Sequence, residues 1–152
     1  MATVTDRATA PLTEPEVRDL AQKWYDALSD KLPLETMHTM LAERDVVMKF
    51  PEGTFRGLGE FKTWYTNVRR QFFDQVHTIT RCDVHLDGTK ANVDVDVRWQ
   101  ASTWKSPQPK SGKILADAEQ TWTVIRSAAT GKPVIQMYSV DKFTPVEAAN
   151  DR

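Results

Sequence analysis

The segment ANVDVDVRWQ, residues 91–100, decides the fold class of this chain. Its hydrophobic residues stand at every second position and alternate with charged or polar residues, which predicts a β-strand with one buried and one polar face. We expect this strand to cover Ala91–Trp104. Residues 74–86 precede it, and Asp87 and Gly88 stand between the two segments. An Asp-Gly turn between two strand-like segments indicates an antiparallel hairpin.

Two more strands are predicted downstream of this hairpin. A polar loop at Lys105–Gly112, which contains two prolines, leads into Lys113–Arg126. The apolar face of that segment is formed by Ile114, Ala116, Ala118, Trp122 and Val124. A turn at Thr130–Lys132 then leads into Pro133–Phe143. The chain from residue 74 to residue 143 therefore predicts four long antiparallel strands.

The first helix is predicted from its capping residues. Thr13 and Glu16 fit a capping box, in which the Thr13 hydroxyl accepts from the Glu16 N–H and the Glu16 carboxylate accepts from the Thr13 N–H. The spacing of the following apolar residues, three and four apart, predicts an amphipathic helix. Its apolar face contains Val17, Leu20, Ala21, Trp24 and Leu28, with Tyr25 at the edge.

Two further helices are predicted on either side of a short hairpin. One begins after Pro33, and its apolar residues are Leu34, Met37 and Leu41. The other follows Gly57, and its apolar residues are Leu58, Phe61, Tyr65, Val68 and Phe72, with Trp64 beside them. Between them, the alternation over Val46–Phe50 predicts a strand that turns at Pro51–Gly53 and pairs back through Thr54–Arg56.

This order of elements predicts an α+β fold. Three N-terminal helices followed by a mainly antiparallel sheet bury their apolar faces when the sheet curves and wraps around the helices. The expected shape is a cone with a pocket at its wide end. The chain has 152 residues, which corresponds to one domain. We place that domain at residues 13–143, and we expect flexible tails at residues 1–12 and 144–152.

Charge and cysteine content argue against several classes of partner. The chain has 20 Lys and Arg residues against 21 Asp and Glu residues and a net charge of −1. Nucleic acids and anionic membranes bind to concentrated positive charge, so neither is an expected partner. The single Cys82 cannot form an internal disulfide, and no Cys/His spacing matches a zinc site. We expect no metal, no cofactor and, without a signal-peptide pattern, a cytoplasmic location.

With this order of elements, the chain resembles the nuclear transport factor 2-like superfamily, and within it the SnoaL-like group, over residues 13–143. The resemblance is carried by WYD at 24–26, LAERDVV at 41–47, FPEG at 50–53, RGLGEF at 56–61, His77 and GKPVI at 131–135. The superfamily includes ketosteroid isomerases, dehydratases, polyketide cyclases, epoxide hydrolases and proteins that only bind ligands. The resemblance implies a pocket for a small, largely apolar molecule.

The ketosteroid isomerase pattern is incomplete in this chain. Its carboxylate base stands directly before the proline, where this chain has Phe50. The tyrosine of that family's first helix aligns best with Trp24, whose indole donates a hydrogen bond but does not act as an acid. The second oxyanion donor falls near Gln120, whose amide can still polarise a carbonyl. The resemblance therefore disfavours isomerisation of this type.

His77 is the predicted general acid or base. Dehydratases and cyclases of the superfamily carry a histidine near this position, and imidazole titrates near neutral pH. Ser29 stands roughly where the dehydratases have an aspartate in the first helix, and Asp26, one turn earlier, is expected to be exposed. The alternative for His77 is a histidine at the sheet edge that bonds a backbone carbonyl or solvent. His38 and His85 are expected at the surface.

A set of charged residues on the strands is similar to the Asp-Arg-Asp arrangement of the epoxide hydrolases. These residues are Asp96, Arg98 and Asp117. In those enzymes, carboxylates activate water and donate a proton to the epoxide. Strand alternation opposes this function here, because residues 93, 95, 97 and 99 should face the core and leave the charged residues outside. We expect a ladder of cross-strand ion pairs on the outer face instead.

Eight side chains form the predicted ligand-binding set, since aromatic rings with a few polar groups are typical of small-molecule pockets. They are Trp24, Phe50, Phe61, Tyr65, Trp99, Gln120, Trp122 and Tyr138. Each ring taken alone is also compatible with a role in the core.

Three functions stay open at this point. The first is a cofactor-free lyase, isomerase or cyclase that uses His77 on a small hydrophobic or aromatic molecule. The second is a binding module of the same fold without catalysis. The third is a scaffold that docks a partner through the charged sheet face, formed by Asp94, Asp96, Arg98 and Gln100. We also expect a homodimer through the outer face of the sheet, because the sheet edges and an exposed Trp104 need cover.

Overall fold

The computed structural model describes residues 10–103 and 112–146. These residues form three helices and six strands, in the predicted order. The helices are α1 (Glu14–Ser29), α2 (Leu34–His38) and α3 (Gly57–Gln71). The strands are β1 (Val47–Phe50), β2 (Gly53–Arg56), β3 (Phe73–Asp87), β4 (Lys90–Thr103), β5 (Gly112–Arg126) and β6 (Pro133–Pro145). The predicted α+β class is confirmed.

The six strands form one open sheet in the order β2-β1-β6-β5-β4-β3. Strands β3 to β6 are antiparallel neighbours, as predicted. The turn between β3 and β4 contains Gly88 at a φ of 62°, a backbone conformation that glycine adopts without steric cost. The short hairpin joins the sheet through a parallel pairing of β1 with β6. The sheet is therefore mixed, a detail that strand alternation alone does not specify.

Helix α1 begins as the sequence predicts. The Glu16 N–H donates to Thr13 Oγ1 at 3.4 Å, and the Thr13 N–H donates to Glu16 Oε1 at 3.2 Å, so the capping box is present. The buried face is wider than predicted, because Tyr25 is 1% exposed instead of lying at the edge. Full burial of such a large side chain stabilises the fold by about 1.5–3 kcal/mol.

Arg126 on β5 binds the first turn of α1 and the segment before it. Its guanidinium donates to both carboxylate oxygens of Glu16, at 2.7 and 2.9 Å, and to the backbone carbonyls of residues 10 and 11. Leu12 is buried, and its N–H donates to the Gly88 carbonyl at 2.8 Å. At the other end, β6 continues to Pro145. The tails were expected at residues 1–12 and 144–152. Residues 1–9 and 147–152 lie outside the described residues, and the tails stay a prediction.

The outer face of the sheet carries the expected ion pairs. Arg98 donates two hydrogen bonds to the Asp117 carboxylate, at 2.8 and 2.9 Å, and both side chains are more than 40% exposed. Arg81 lies within 4 Å of three carboxylates of the same face, those of Asp83, Asp94 and Asp96. The charged residues are thus paired with one another at the surface, as strand alternation predicts, and do not converge on an interior site.

The three histidines occupy three different environments. His85 is exposed, and its Nε2 lies 3.2 Å from Asp94 Oδ2, as expected for a surface residue. The same prediction is wrong for His38, which is half-buried with its ring 6.2 Å from that of Phe61. The reason is that α2 ends at His38 and packs against α3, so its last turn is covered. His77 faces the interior and lines a cavity.

Trp104, which was expected to be exposed, falls outside the described residues. Among the helices of the described residues, none combines the length and the apolar character needed to span a membrane.

Candidate functional site

A cavity of about 360 Å³ lies between the helices and the inner face of the sheet. Helix α1 contributes Tyr25 and Leu28 to its wall, and α3 contributes Trp64, Val68 and Gln71. The remaining wall comes from the β1–β2 hairpin and from the inner faces of β3 to β6. Most of the lining side chains are aliphatic or aromatic, and the few polar ones include His77, Gln75, Gln120 and Glu52.

Strand register explains which sheet residues reach this cavity. His77 on β3 pairs with Trp99 on β4, and Trp99 pairs with Ala116 on β5. Two residues along β4, Val97 pairs with Ala118 on β5. Directly paired residues point to the same face of a sheet, and each strand repeats this face at every second residue. The alternation that predicts the strands therefore also aims these side chains inward.

Five of the nine predicted site residues line the cavity. They are His77, Phe50, Trp99, Gln120 and Tyr138. Their role in ligand binding or catalysis stays a prediction.

The other four predicted residues are not on the cavity wall. They are Trp24, Phe61, Tyr65 and Trp122, and each is at most 2% exposed. Trp24 and Tyr65 both pack on Phe61, with ring centroids 5.8 and 5.6 Å apart. They fill the core because the apolar stripe of a helix is wider than the part that borders the cavity. Periodicity identifies the buried face, but it does not show which members of that face meet an open space.

Several lining residues lie outside the predicted set. Trp64 stacks on Phe50, with centroids 3.9 Å apart and an interplanar angle of 3°, and its indole N–H donates to Glu52 Oε2 at 2.9 Å. Gln75 accepts a hydrogen bond from the Trp99 indole at 3.1 Å and is 6% exposed. The position of Trp64 beside the α3 stripe was the available signal. Gln75 gives no such signal, because a glutamine at the start of a strand is ordinary.

A hydrogen-bonded network lies at the edge of the cavity. Gln120 Oε1 accepts from the Tyr25 hydroxyl at 2.8 Å and from the Trp122 indole at 3.1 Å. The hydroxyls of Tyr25 and Tyr138 are 3.1 Å apart. Burial raises the pKa of Tyr25 well above its usual value and raises the pKa of Tyr138 to about 12. Both phenols are therefore protonated at neutral pH and serve as neutral hydrogen-bonding groups.

His77 is held by a serine of helix α1. Its Nδ1 lies 3.0 Å from Ser29 Oγ, and its backbone N–H donates to the same oxygen at 3.1 Å. The ring stacks on Tyr25 with a centroid distance of 5.5 Å. Burial lowers the pKa of His77 from 6.5 to about 4, so the imidazole is neutral at pH 7. A neutral ring offers Nε2 as a hydrogen-bonding or proton-accepting atom, and it is a poor source of protons at that pH.

In residues 10–103 and 112–146, His, Cys, Asp and Glu side chains form no group of three or more that could hold a metal ion. Asp26 is exposed, as predicted, and accepts a hydrogen bond from Gln22 instead of contacting His77. Cys82 is half-buried, and burial raises the pKa of its thiol, which disfavours the reactive thiolate.

Comparison with known proteins assigns the family. The family model described as "SnoaL-like domain" matches residues 12–130 of this chain. The chain belongs to the SnoaL-like domain family. No curated protein matches the sequence of this SnoaL-like protein.

Several solved structures share the fold of this chain. Hexachlorocyclohexane dehydrochlorinase LinA-type3 from Novosphingobium barchaimii is 18% identical, with a TM-score of 0.70 over 88% of this chain and 90% of that chain. A nuclear transport factor 2-like superfamily protein from Salmonella enterica is 12% identical, with a TM-score of 0.66 over 91% and 95%. The CaMKII hub of S. rosetta is 17% identical, with a TM-score of 0.64 over 90% and 99%. At these identities the SnoaL-like protein shares their fold, and the family model confirms the predicted SnoaL-like group.

Proposed function

We propose that this SnoaL-like protein binds a small, largely apolar molecule in the cavity between α1, α3 and the sheet. The observation that carries the proposal is the cavity itself, which combines a volume of about 360 Å³ with a wall of aromatic and aliphatic side chains and a few polar groups. Pockets for small molecules have this composition and volumes of about 300–1,000 Å³. The stacked pair Phe50 and Trp64 adds a flat aromatic surface against which a ring can pack.

The test uses tetralin, a bicyclic hydrocarbon, as the probe. Because Trp64 and Trp99 line the cavity, tetralin binding should change the tryptophan fluorescence, and calorimetry should give the same affinity. Ala118→Phe places a ring in the cavity and should abolish binding. Glu119→Phe introduces the same ring at the next residue of β5, which is exposed on the outer face, and should leave binding intact. Saturable binding that survives Ala118→Phe, or no binding to the wild-type protein, would contradict the proposal.

Proton transfer by His77 is the second candidate function. The specific observation in its favour is the Ser29 contact at Nδ1 of a neutral ring; in the tautomer whose Nδ1–H donates to Ser29 Oγ, Nε2 is unprotonated and is the base. One solved structure of this fold is named a dehydrochlorinase, so the architecture is compatible with an enzyme. The expected reaction is a cofactor-free lyase, isomerase or cyclase step that begins with removal of a proton.

This second function is tested on a molecule recovered from the purified protein. Extraction and mass spectrometry identify any co-purified compound, and turnover of that compound is then followed with wild type and His77→Gln. A loss of kcat in the variant with little change in KM supports general-base catalysis. Turnover that is equal in both proteins excludes it and leaves the binding function.

We also propose that the protein forms a homodimer through the outer face of its sheet. Strand β3 is at the edge of the sheet, so one side of its backbone has no strand partner among the described residues. Val76 adds an apolar side chain to this region that is 48% exposed. Light scattering at micromolar concentration should give the mass of two chains, about 35 kDa from the 17.3 kDa of one. A monomer mass would contradict the proposal.

A further inference from the structure

We infer that Gln120 presents its amide N–H groups to the cavity and thereby selects a ligand with a neutral carbonyl oxygen on its apolar skeleton. This inference rests on the proposed binding function and names the chemical class of the ligand. The hydrogen bonds that fix the orientation of the Gln120 amide support it.

The indole of Trp122 decides which end of the amide faces the protein. An indole N–H can only donate, so the Gln120 atom that lies 3.1 Å from Trp122 Nε1 is the oxygen. The Tyr25 hydroxyl contacts the same oxygen at 2.8 Å and must also donate to it. The oxygen of the Gln120 amide therefore has two donors, and the nitrogen points away from both of them.

The two tyrosine hydroxyls are used within the network. Because the Tyr25 proton is directed to Gln120, the 3.1 Å contact between the phenols requires Tyr138 to donate to Tyr25. Neither phenol then has a proton left for a ligand. The Gln120 amide nitrogen, with two N–H groups, remains as the donor at this end of the cavity.

The surroundings of the Gln120 amide nitrogen favour a ligand that carries a hydrogen-bond acceptor. Gln120 is 5% exposed and lines the cavity, and none of the described residues accepts a hydrogen bond from its amide nitrogen. A ligand that covers this nitrogen removes it from water, and leaving it without an acceptor would then cost about 1–3 kcal/mol, so an acceptor on the ligand is favoured there. Its neighbours on the wall, Ala118 and Val140, are apolar, and hydrogen bonds in such surroundings are stronger than in water.

The charges around the cavity favour a neutral acceptor over a carboxylate. No Lys or Arg side chain is part of the wall formed by the described residues, whereas Glu52 is. A buried carboxylate needs a cation or several donors to offset its desolvation. A ketone, ester or amide carbonyl needs only the hydrogen bond that Gln120 can give.

Three probes of similar size test this inference. They are tetralin, 1-tetralone and 1,2,3,4-tetrahydro-1-naphthoate, which have no acceptor, a neutral carbonyl and a carboxylate. In the wild-type protein, tetralone should bind about 3- to 10-fold more tightly than tetralin, as one net hydrogen bond of about 1 kcal/mol implies. The carboxylate should bind more weakly than either. The readout is the dissociation constant of tetralin divided by that of tetralone, because a general change in the cavity affects both constants alike.

Two variants test whether Gln120 causes the preference for tetralone over tetralin. Gln120→Met keeps the length of the side chain without its amide, and it should lower the dissociation constant of tetralin divided by that of tetralone from about 3–10 to about 1, while tetralin still binds. Gln100→Met makes the same change on β4, where the side chain is exposed, and should keep the wild-type ratio. If Gln120→Met does not fold, ¹⁵N NMR of the wild-type protein replaces it, because tetralone and not tetralin should shift the Gln120 side-chain NH₂ resonances.

The outcomes separate this inference from the function on which it rests. Equal binding of tetralin and tetralone overturns the carbonyl selection and leaves the apolar binding function in place. A preference for tetralone that persists in Gln120→Met, or that leaves the Gln120 NH₂ resonances unmoved, overturns the assignment to Gln120. A preference for the carboxylate overturns the choice of a neutral acceptor. Binding of none of the probes overturns the binding function and the inference together.

Discussion

The Ser29 hydroxyl lies 3.0 Å from His77 Nδ1 and also accepts a hydrogen bond from the His77 backbone N–H at 3.1 Å. A serine can orient an imidazole in this way, but it supplies no negative charge to stabilise an imidazolium. The burial that lowers the pKa of His77 to about 4 is therefore not offset by a charged partner at this position. Burial therefore sets the low pKa of His77, and a carboxylate at residue 29 would oppose it.

Replacing Ser29 by aspartate should raise the pKa of His77. The new carboxylate would lie near Nδ1, and an opposite charge within about 4–6 Å favours the protonated ring by about 1–3 pKa units. Titration of the His77 ring signals by NMR measures the change. Ser29→Ala is the control, and it should leave the pKa low because burial is the cause of the shift. An unchanged pKa in Ser29→Asp would show that the new carboxylate does not reach the ring.

The buried His77 should make the protein less stable in mild acid. In the unfolded chain, His77 titrates near 6.5, and in the folded protein it titrates at about 4. Between these values the unfolded state binds the additional proton, so the free energy of unfolding decreases as the pH falls from about 6.5 to about 4. The decrease should reach about 3 kcal/mol.

Urea unfolding of wild type and His77→Gln at several pH values checks this prediction. Other titrating groups contribute to both proteins, so the difference between the two curves isolates His77. The difference should be constant above pH 7 and should change steadily below pH 6. Parallel curves across the whole range would mean that His77 has the same pKa in both states.

Removal of the Arg126 guanidinium should destabilise the fold. Arg126→Met leaves the Glu16 carboxylate and the backbone carbonyls of residues 10 and 11 without this donor. We expect a loss of about 2 kcal/mol, less than the roughly 3–5 kcal/mol of a fully buried pair, because Glu16 is 35% exposed. Arg98→Met breaks the other bidentate pair, which lies at the surface, and should change the urea midpoint much less. Equal losses of stability in Arg126→Met and Arg98→Met would contradict the idea that burial makes the Arg126 pair the stronger one.

The network around Gln120 predicts an order of stability losses. Gln120→Met leaves the Trp122 indole without an acceptor and should cost about 2–3 kcal/mol. Tyr138→Phe removes one donor from Tyr25, leaves the Gln120 contacts intact and should cost about 1 kcal/mol. Urea denaturation of both variants, with unchanged m-values as the check on folding, measures this order. The reverse order would mean that Tyr25 does not donate to Gln120.

Much of the fold could be predicted from local patterns. The capping box of Thr13 and Glu16, the helical spacing of α1 and α3 and the alternation along β4 depend on neighbours within a few residues, and all three appear in the structure. The same alternation predicted that the charged pair Arg98 and Asp117 lies on the outer face of the sheet. These features are fixed by the sequence because the periods of helices and strands determine which side chains share a face.

The site was predictable only in part, because contacts between distant residues decide it. The sequence by itself determined that Trp99 and Gln120 lie on the inner face of the sheet, and it left His77 either in the site or at the sheet edge. Only the tertiary structure decided that Trp24 and Trp122 fill the core while Trp64 lines the cavity. It also decided that Ser29 contacts His77, 48 residues away in the sequence, and that two hydrogen-bond donors fix the Gln120 amide. The physical reason is that periodicity specifies the direction of a side chain, whereas the packing of helices against the sheet determines what that side chain meets.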